Sequence, residues 1–203
     1  MSYMNDAQTF LNSCRKGELD IVSAYFTVNK IDPSDTLFQK GLLFAGGNRH
    51  LKVVELFIDN QVPFELEDND ARNLFFNAIM RDNLTIVQYI LNSGFNLNTL
   101  SDEMTPLMEA ANSESINSAK LLISLGVDVN EKANDNTTAL HHAIFHACES
   151  FISPEDDEMV SLLIKTGADI NVIDDMGQSP LSLAENYAQN EGGVDYTGIL
   201  KEG

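Results

Sequence analysis

Residues Thr105–Asn130, TPLMEAANSESINSAKLLISLGVDVN, predict two short helices joined by a turn. Thr105 is a favourable N-cap, and Pro106 follows at the first helical position, where its missing N–H group is not needed. Gly126 stands where a left-handed C-cap would end the second helix. Two helices of this length cannot bury their apolar faces alone, so they need neighbours. The predicted buried stripe of the second helix consists of Ala119, Leu121, Leu122 and Leu125.

The chain supplies such neighbours, because the same pattern recurs along it. Successive starts are separated by 32, 33, 32, 33 and 41 residues. A repeat of about this period is typical of stacked helical arrays. The equivalent starts are Gln8, Lys40, Asn73, Thr105, Thr138 and Ser179.

The repeated letters resemble the ankyrin repeat over nearly the whole chain. They are TPLMEAA with LLISLGVDVN, TALHHAI with LLIKTGADIN, and SPLSLAE. The resemblance implies an all-α solenoid of about six pairs of antiparallel helices, with short β-hairpin-like turns, in one domain over residues 1–203. It places an insertion of eight residues within about 148–157, inside the fifth repeat.

The first repeat lacks the Thr-Pro start, as expected of a capping repeat whose outer face meets water. Its helical spacing predicts two inner faces. The first face has Phe10, Leu11 and Cys14, and the second has Ile21, Val22, Tyr25 and Phe26.

Charge is distributed unevenly along the chain. The 203 residues carry a net charge of −19, and residues 61–203 hold 24 of the 31 acidic side chains but only six of the 12 basic ones. We therefore expect no binding to nucleic acid or to an anionic membrane, because phosphate contacts need clustered Lys and Arg. An acidic surface either serves solubility alone or attracts a basic protein partner.

The sequence shows no pattern typical of a membrane span, a signal peptide or a disulfide framework. No apolar run approaches the ~18 residues of a membrane span, and the first residues have no signal-peptide pattern. These features predict a cytoplasmic protein, which we expect to be a monomer. Cys14 and Cys148 lie far apart and are expected to be buried thiols.

Catalytic motifs are also missing: there is no glycine-rich phosphate loop, no GxSxG and no HExxH. Carboxylate pairs such as Asp156 with Asp157 and Asp174 with Asp175 are expected to be turn residues or solvated charges. We expect no enzyme activity and no cofactor.

Histidines cluster in the fifth repeat. His142 and His146 share a helical face and have Cys148 nearby, a combination that leaves metal-dependent activity as a less favoured alternative. The resemblance instead assigns His141 a structural role, in which its ring ties down the adjoining turn. His142 and His146 are expected to face the binding groove.

The resemblance also indicates where a partner would bind, namely on the turns and inner helices of the groove. Phe145 and Tyr187 fall at neighbouring groove positions and form the expected hot spot, unless Phe145 packs beneath the insertion instead. The predicted partner-binding residues are Asp70, Met80, Asp102, Met104, Asp135, His142, Phe145, His146, Asp175, Met176 and Tyr187.

Together these observations predict a non-enzymatic protein–protein interaction module whose acidic concave face binds a basic protein. A narrower alternative is an inhibitor or immunity protein that neutralises a basic enzyme such as a nuclease toxin, with carboxylates in place of phosphates.

Overall fold

The structure is a computed structural model that describes residues 6–29, 35–62, 69–96, 104–150, 157–190 and 195–202. Every regular element longer than one residue in these ranges is an α-helix, and there are twelve of them. In chain order they are α1 (Ala7–Lys16), α2 (Leu19–Val28), α3 (Thr36–Gly47), α4 (Leu51–Asp59), α5 (Asn69–Met80), α6 (Leu84–Asn92), α7 (Pro106–Asn112), α8 (Ile116–Ser124), α9 (Ala139–Glu149), α10 (Glu158–Lys165), α11 (Pro180–Asn190) and α12 (Thr197–Glu202).

These helices follow one another as six pairs, which is the organisation that the repeated letters predict. In the last three pairs the first helix begins one residue after Thr105, Thr138 and Ser179. In the second and third pairs it begins at Thr36 and Asn69, four residues before the predicted starts. Among the described residues, no helix has the length and apolar character needed to cross a membrane.

The chain forms two compact units. Unit 1 contains Met1–Ala78 and Asn83–Asn96, and unit 2 contains Ile79–Asp82 and Leu97–Gly203. The prediction of a single domain over 1–203 stays a prediction.

Aromatic side chains form the core of unit 1. Phe10 stacks on Tyr25 with ring centroids 4.2 Å apart, and Phe26 meets Phe57 edge-to-face at 5.0 Å. All four rings are buried. The prediction that Ile21 belongs to this inner face is wrong, because its side chain is 38% exposed. The position adjacent to Val22 lies about 100° around the helix, which turns Ile21 away from the core.

In unit 2, α7, α9 and α11 lie side by side, and small side chains allow their close approach. Ala110, Ala111 and Ala143 are buried at these contacts. Gly126 has a φ of 86°, the left-handed conformation predicted for it. Leu125 was predicted to be buried but is 49% exposed, at the C-cap of α8 just beyond its last residue, Ser124.

Helices α7, α9 and α11 of unit 2 are capped in the same way at their N-termini. In each, a side chain accepts a hydrogen bond from the backbone N–H of the N-cap residue. Three different acceptors occupy this position, three residues after the cap. They are Met108 Sδ (3.4 Å from Thr105 N), His141 Nδ1 (3.1 Å from Thr138 N) and Ser182 Oγ (2.7 Å from Ser179 N).

The second helix α8 takes its cap from elsewhere in the unit. Its own N-cap residue, Ser115, makes no side-chain capping bond. Instead the carboxylate of Asp82 accepts from the backbone N–H groups of Asn117 (3.3 Å) and Ser118 (2.7 Å), and also from both of their side chains. Partial burial would raise the pKa of Asp82, but these hydrogen bonds outweigh it and the pKa is lowered.

Two β-hairpin-like turns precede α9 and α11. In the α9 turn (residues 133–137), Ala133 N donates to Thr137 O at 2.9 Å and Asn136 adopts a φ of 62°. In the α11 turn (residues 174–178), Asp174 N donates to Gln178 O at 2.9 Å and Gly177 adopts a φ of 77°. A left-handed residue after the tight turn is typical of short hairpins.

Candidate functional site

A cleft of about 560 Å³ opens between α9 and α11 in unit 2. We call it the α9–α11 cleft. Its walls come from both helices, from their two preceding turns and from the end of α7. The lining residues are Asn112, Thr137, His141, His142, Phe145, Asp174, Met176, Gln178, Leu183, Asn186 and Tyr187.

Phe145 and Tyr187 form an aromatic pair at this cleft. Their ring centroids are 6.4 Å apart and their planes are inclined by 77°, an edge-to-face arrangement. Phe145 nevertheless remains 48% exposed. The Tyr187 hydroxyl donates to Glu149 Oε1 at 3.0 Å, which places a carboxylate beside the ring pair. The alternative packing of Phe145 beneath the insertion concerns residues 151–156, which lie outside the described residues.

Met176 lies at the tip of the α11 turn and is 85% exposed. The turn holds it there because Asp174 Oδ1 accepts from Met176 N at 2.9 Å and from Gln178 N at 2.7 Å. An apolar side chain this exposed, held on a hydrogen-bonded turn at the same cleft as two aromatic rings, is available for contact with another molecule.

The two turns are joined to each other by hydrogen bonds. Asp175 N donates to Asp135 O at 2.9 Å, and Asn136 Nδ2 donates to Asp175 Oδ1 at 2.7 Å. Asp135 Oδ1 also accepts from the hydroxyl of Thr137 at 2.7 Å and from its backbone N–H at 3.0 Å. The hydroxyl bond is the main reason why the pKa of Asp135 is lowered. The rim of the cleft is therefore both acidic and ordered.

His141 has the structural role that the resemblance implies. Nδ1 accepts from Thr138 N, so it carries no proton, and Nε2 lies 3.3 Å from the carbonyl oxygen of Gln178, to which it donates. Burial lowers the pKa of His141, and nearby groups including Asp174 offset this only in part. The ring is therefore neutral and ties α9 to the α11 turn.

The tautomer of His142 follows from its neighbours. The Thr137 hydroxyl has a single proton, which it donates to the ionised Asp135, so it can only accept from His142 Nε2 at 3.3 Å. Burial lowers the pKa of His142, and the charge of Asp135 opposes this shift. A neutral ring that donates through Nε2 carries its free lone pair on Nδ1.

His146 does not line the α9–α11 cleft. Its Nδ1 lies 3.4 Å from Glu114 Oε1, an ion-pair distance without hydrogen-bond geometry. Burial raises the pKa of the Cys148 thiol to about 11, so this group is protonated. Among the described residues, no group of three or more His, Cys, Asp or Glu side chains could hold a metal ion. The metal-dependent alternative gains no support from these residues.

The other predicted binding residues are scattered. Met80 ends α5 and is 39% exposed, and Met104 is half-buried just before α7. Asp70 lies on α5, but its side chain is outside the described part, as is all of Asp102. The cleft brings together four of the eleven predicted partner-binding residues: His142, Phe145, Met176 and Tyr187. Four further residues at groove positions that the resemblance implies also line it: Asn112, Thr137, Gln178 and Asn186.

Sequence reasoning missed Asp174 and Leu183 as cleft residues. Asp174 was expected to be a turn residue or a solvated charge, and its turn role is present, but it also lines the cleft. The position of Asp174 next to Asp175, in the turn before α11, is the sequence feature that could have identified it as a cleft residue. No sequence feature could have identified Leu183, because an apolar residue on a helix is expected to lie in the core.

Paired helices, hairpin-like turns and the Thr-Pro-Leu cap define the class of protein, and comparison with known proteins agrees. The family model for ankyrin repeats (3 copies) matches residues 42–133 and 75–153, and the single ankyrin repeat model matches 135–175. The chain belongs to the ankyrin-repeat family.

Relatives extend this similarity. The chain is 29% identical over 58% of its length to the Fowlpox virus ankyrin repeat protein FPV031, of which it covers 33%. It is 32% identical over 62% of its length to the ankyrin repeat and KH domain-containing protein mask-1 of Caenorhabditis elegans, of which it covers 4%. The chain thus spans a third or less of these two proteins. It is 24% identical over 94% of its length to the Escherichia coli (strain K12) ankyrin repeat protein YahD, of which it covers 95%.

Proposed function

We propose that this protein is a non-enzymatic interaction module that binds a basic protein partner at the α9–α11 cleft and its acidic rim. The observation that carries the proposal is the edge-to-face pair of the exposed Phe145 and the half-buried Tyr187, beside the carboxylate of Glu149. Ankyrin repeats serve as protein-binding modules, which supports a protein as the ligand. In this proposal the chain acts as a cytoplasmic monomer and as one repeat domain.

The aromatic pair supports a protein partner for energetic reasons. Aromatic side chains dominate binding hot spots because they bury large areas while losing little conformational entropy. Met176 extends the same apolar surface along the rim. A partner that covers these three side chains would remove their apolar surface from water.

The charge pattern supports a basic partner. Residues 61–203 carry 24 acidic and six basic side chains, and Asp135, Asp174 and Asp175 lie at the two turns that border the cleft. The described lining residues include neither Lys nor Arg. Complementary charge accelerates encounter and selects among partners more than it adds affinity.

Affinity capture from the native host tests the proposal. The immobilised protein should retain one or more basic proteins at about 0.15 M salt and release them at about 0.5 M, where screening is stronger. Phe145→Ala should weaken capture by about tenfold or more, as for a hot-spot residue. Leu125→Ala is the matched control, because Leu125 is exposed to the same degree (49% against 48%) and lies outside the cleft.

Retention of the same partners at high salt and by the Phe145→Ala, Tyr187→Ala double variant would contradict the proposal. A captured basic enzyme whose activity falls when the chain is added would support the narrower role of an inhibitor.

A further inference from the structure

Hydrogen-bond acceptors and π faces make up much of the lining of the α9–α11 cleft. The α11 turn uses only Oδ1 of Asp174, so Oδ2 takes no part in that turn. His142 is neutral and donates through Nε2, which leaves Nδ1 as an acceptor. The rings of Phe145 and Tyr187 add π faces to the same cleft.

Three of the donors at the cleft are engaged within the protein, and the carboxamides of Asn112, Gln178 and Asn186 can each donate or accept. His141 donates to the Gln178 carbonyl, the Thr137 hydroxyl to Asp135, and the Tyr187 hydroxyl to Glu149. Asp174 is the one carboxylate among the described lining residues, so the best complement for a ligand group that enters the cleft is a cation that carries several N–H donors.

We propose that the α9–α11 cleft receives one lysine or arginine side chain of the partner. The cationic head group lies near Asp174 and His142, and the aliphatic stem packs on Phe145 and Tyr187. This inference rests on the proposed function, because it names the part of a basic partner that occupies the cleft.

The chemistry of a basic side chain matches each part of this lining. Its methylene stem is apolar and covers aromatic surface while the head group stays polar. A cation over an aromatic face is attracted by the ring quadrupole. An acidic side chain would instead meet the carboxylate of Asp174 and the acidic rim, which repel it. An uncharged apolar side chain would leave Asp174 with no partner from the ligand and would desolvate it in part.

A titration with single amino-acid probes separates this site from diffuse attraction to the acidic surface. The probes are N-acetyl-lysine methylamide and N-acetyl-arginine methylamide, each added to the full chain and followed by NMR. Their neutral counterparts are the norleucine and citrulline derivatives, which have similar shape without the charge. We expect the two cationic probes to shift the signals of His142, Phe145 and Tyr187 and to saturate, whereas the neutral probes do not.

Asp174→Asn provides the decisive variant. Asparagine keeps an Oδ1 that can accept from Met176 N and Gln178 N, so the turn is preserved while the charge is removed. We expect the Kd for the cationic probes to rise between about threefold and tenfold, the range for a partly exposed charge-assisted contact. Asp169→Asn is the control, since Asp169 is exposed, its Oδ1 accepts from Asn171 N, and it lies outside the cleft.

Two results would overturn the inference. Equal sensitivity to Asp174→Asn and Asp169→Asn would mean that the probes respond to net charge alone. Equal shifts from the norleucine or citrulline probe would mean that the cleft selects apolar shape rather than a cation. The ratio of the lysine to the arginine response tells which of the two side chains the cleft prefers.

The proposed function can fail independently of this inference. If Phe145→Ala abolishes capture of a basic protein but Asp174→Asn leaves both capture and probe binding unchanged, the partner binds at the cleft without inserting a cation. If cationic probes bind as expected but no captured protein depends on Phe145, the site exists and the proposed partner class is wrong.

Discussion

The hydroxyl of Tyr196 donates a hydrogen bond of 2.9 Å to the carboxylate of Asp157, and both side chains are buried. The other carboxylate oxygen of Asp157 accepts from Val160 N at 2.8 Å and so caps α10. Asp157 is only 4% exposed, so its expected role as a solvated charge or simple turn residue is wrong. Burial and the neighbouring Asp157 raise the pKa of Tyr196, which keeps its hydroxyl protonated.

Removing this hydroxyl should destabilise unit 2. In Tyr196→Phe, a buried carboxylate oxygen loses a donor, and we expect the free energy of unfolding to fall by about 1–3 kcal/mol. Urea unfolding followed by circular dichroism measures the change. A double-mutant cycle with Asp157→Asn, which keeps the cap on Val160 N, should give a coupling above about 0.5 kcal/mol. Strictly additive effects would show that the two groups do not stabilise each other.

The side chain that accepts the capping hydrogen bond at α9 should be replaceable by the one that does so at α7. His141→Met places at α9 the same acceptor that Met108 provides at α7, but it loses the bond to the Gln178 carbonyl. We expect a loss of about 1 kcal/mol for His141→Met, and about twice that for His141→Ala, which loses both bonds. Thermal unfolding of the two variants compares them, and equal losses would mean that the Nδ1 bond contributes nothing.

Stability should fall on mild acidification because burial lowers the pKa values of both His141 and His142. The folded state then binds protons less readily than the unfolded state, whose histidines titrate near about pH 6.5. Their contribution is therefore complete above that pH and is lost as the pH falls below it. The pKa of Asp135 is lowered from an already acidic value, so its own loss comes at lower pH.

The measurement is the free energy of unfolding between about pH 7.5 and pH 5.5, on either side of the histidine midpoint. We expect it to fall with pH in the wild-type protein and to change less in the His141→Met, His142→Gln variant. An identical slope in both proteins would assign the pH dependence to other groups.

The turn between the paired helices takes a left-handed residue in each of the first two repeats, a glycine in the first and an arginine in the second. Gly17 has a φ of 72°, and a Cβ there would lie 2.5 Å from Nδ1 of His50. Arg49 occupies the equivalent turn with a φ of 64° and is exposed. We expect Gly17→Ala to destabilise unit 1 by at least about 1 kcal/mol, from backbone strain alone.

Arg49→Gly should have the opposite sign, with a gain of about 0.5–1 kcal/mol, because relief of left-handed strain exceeds the added chain entropy of glycine. Hydrogen exchange of α1 and α4 amides in the two variants measures both effects. Destabilisation by Arg49→Gly would show that its side chain contributes more than its backbone strain costs.

Sequence patterns predicted the parts of this fold that depend on local chemistry. Pro106 and Pro180 begin helices, Gly126 takes up its left-handed conformation, and Phe145 meets Tyr187 as their positions in adjacent repeats suggested. Each of these outcomes depends on a residue type at a fixed distance along the chain. The binding role of the predicted residues stays a prediction.

Features that depend on contacts between repeats could not be predicted in this way. The burial of Asp157 requires Tyr196, which is 39 residues away. The contact between His146 and Glu114 joins residues 32 positions apart, so the spacing of His142 and His146 along α9 does not predict it. The solvent exposure of Leu125 depends on where α8 ends. Helical spacing alone does not contain that information.

The capping of α8 by Asp82 limits how this protein can be divided. A fragment that begins at Thr105 would contain α7 and α8 complete in sequence, yet the start of α8 would lack the carboxylate that accepts four of its hydrogen bonds. The repeats of this chain are therefore not independent of one another, because a residue of one repeat caps a helix of the next. A fragment designed for independent expression should begin upstream of Ile79, so that it contains both Asp82 and the helix α8 that Asp82 caps.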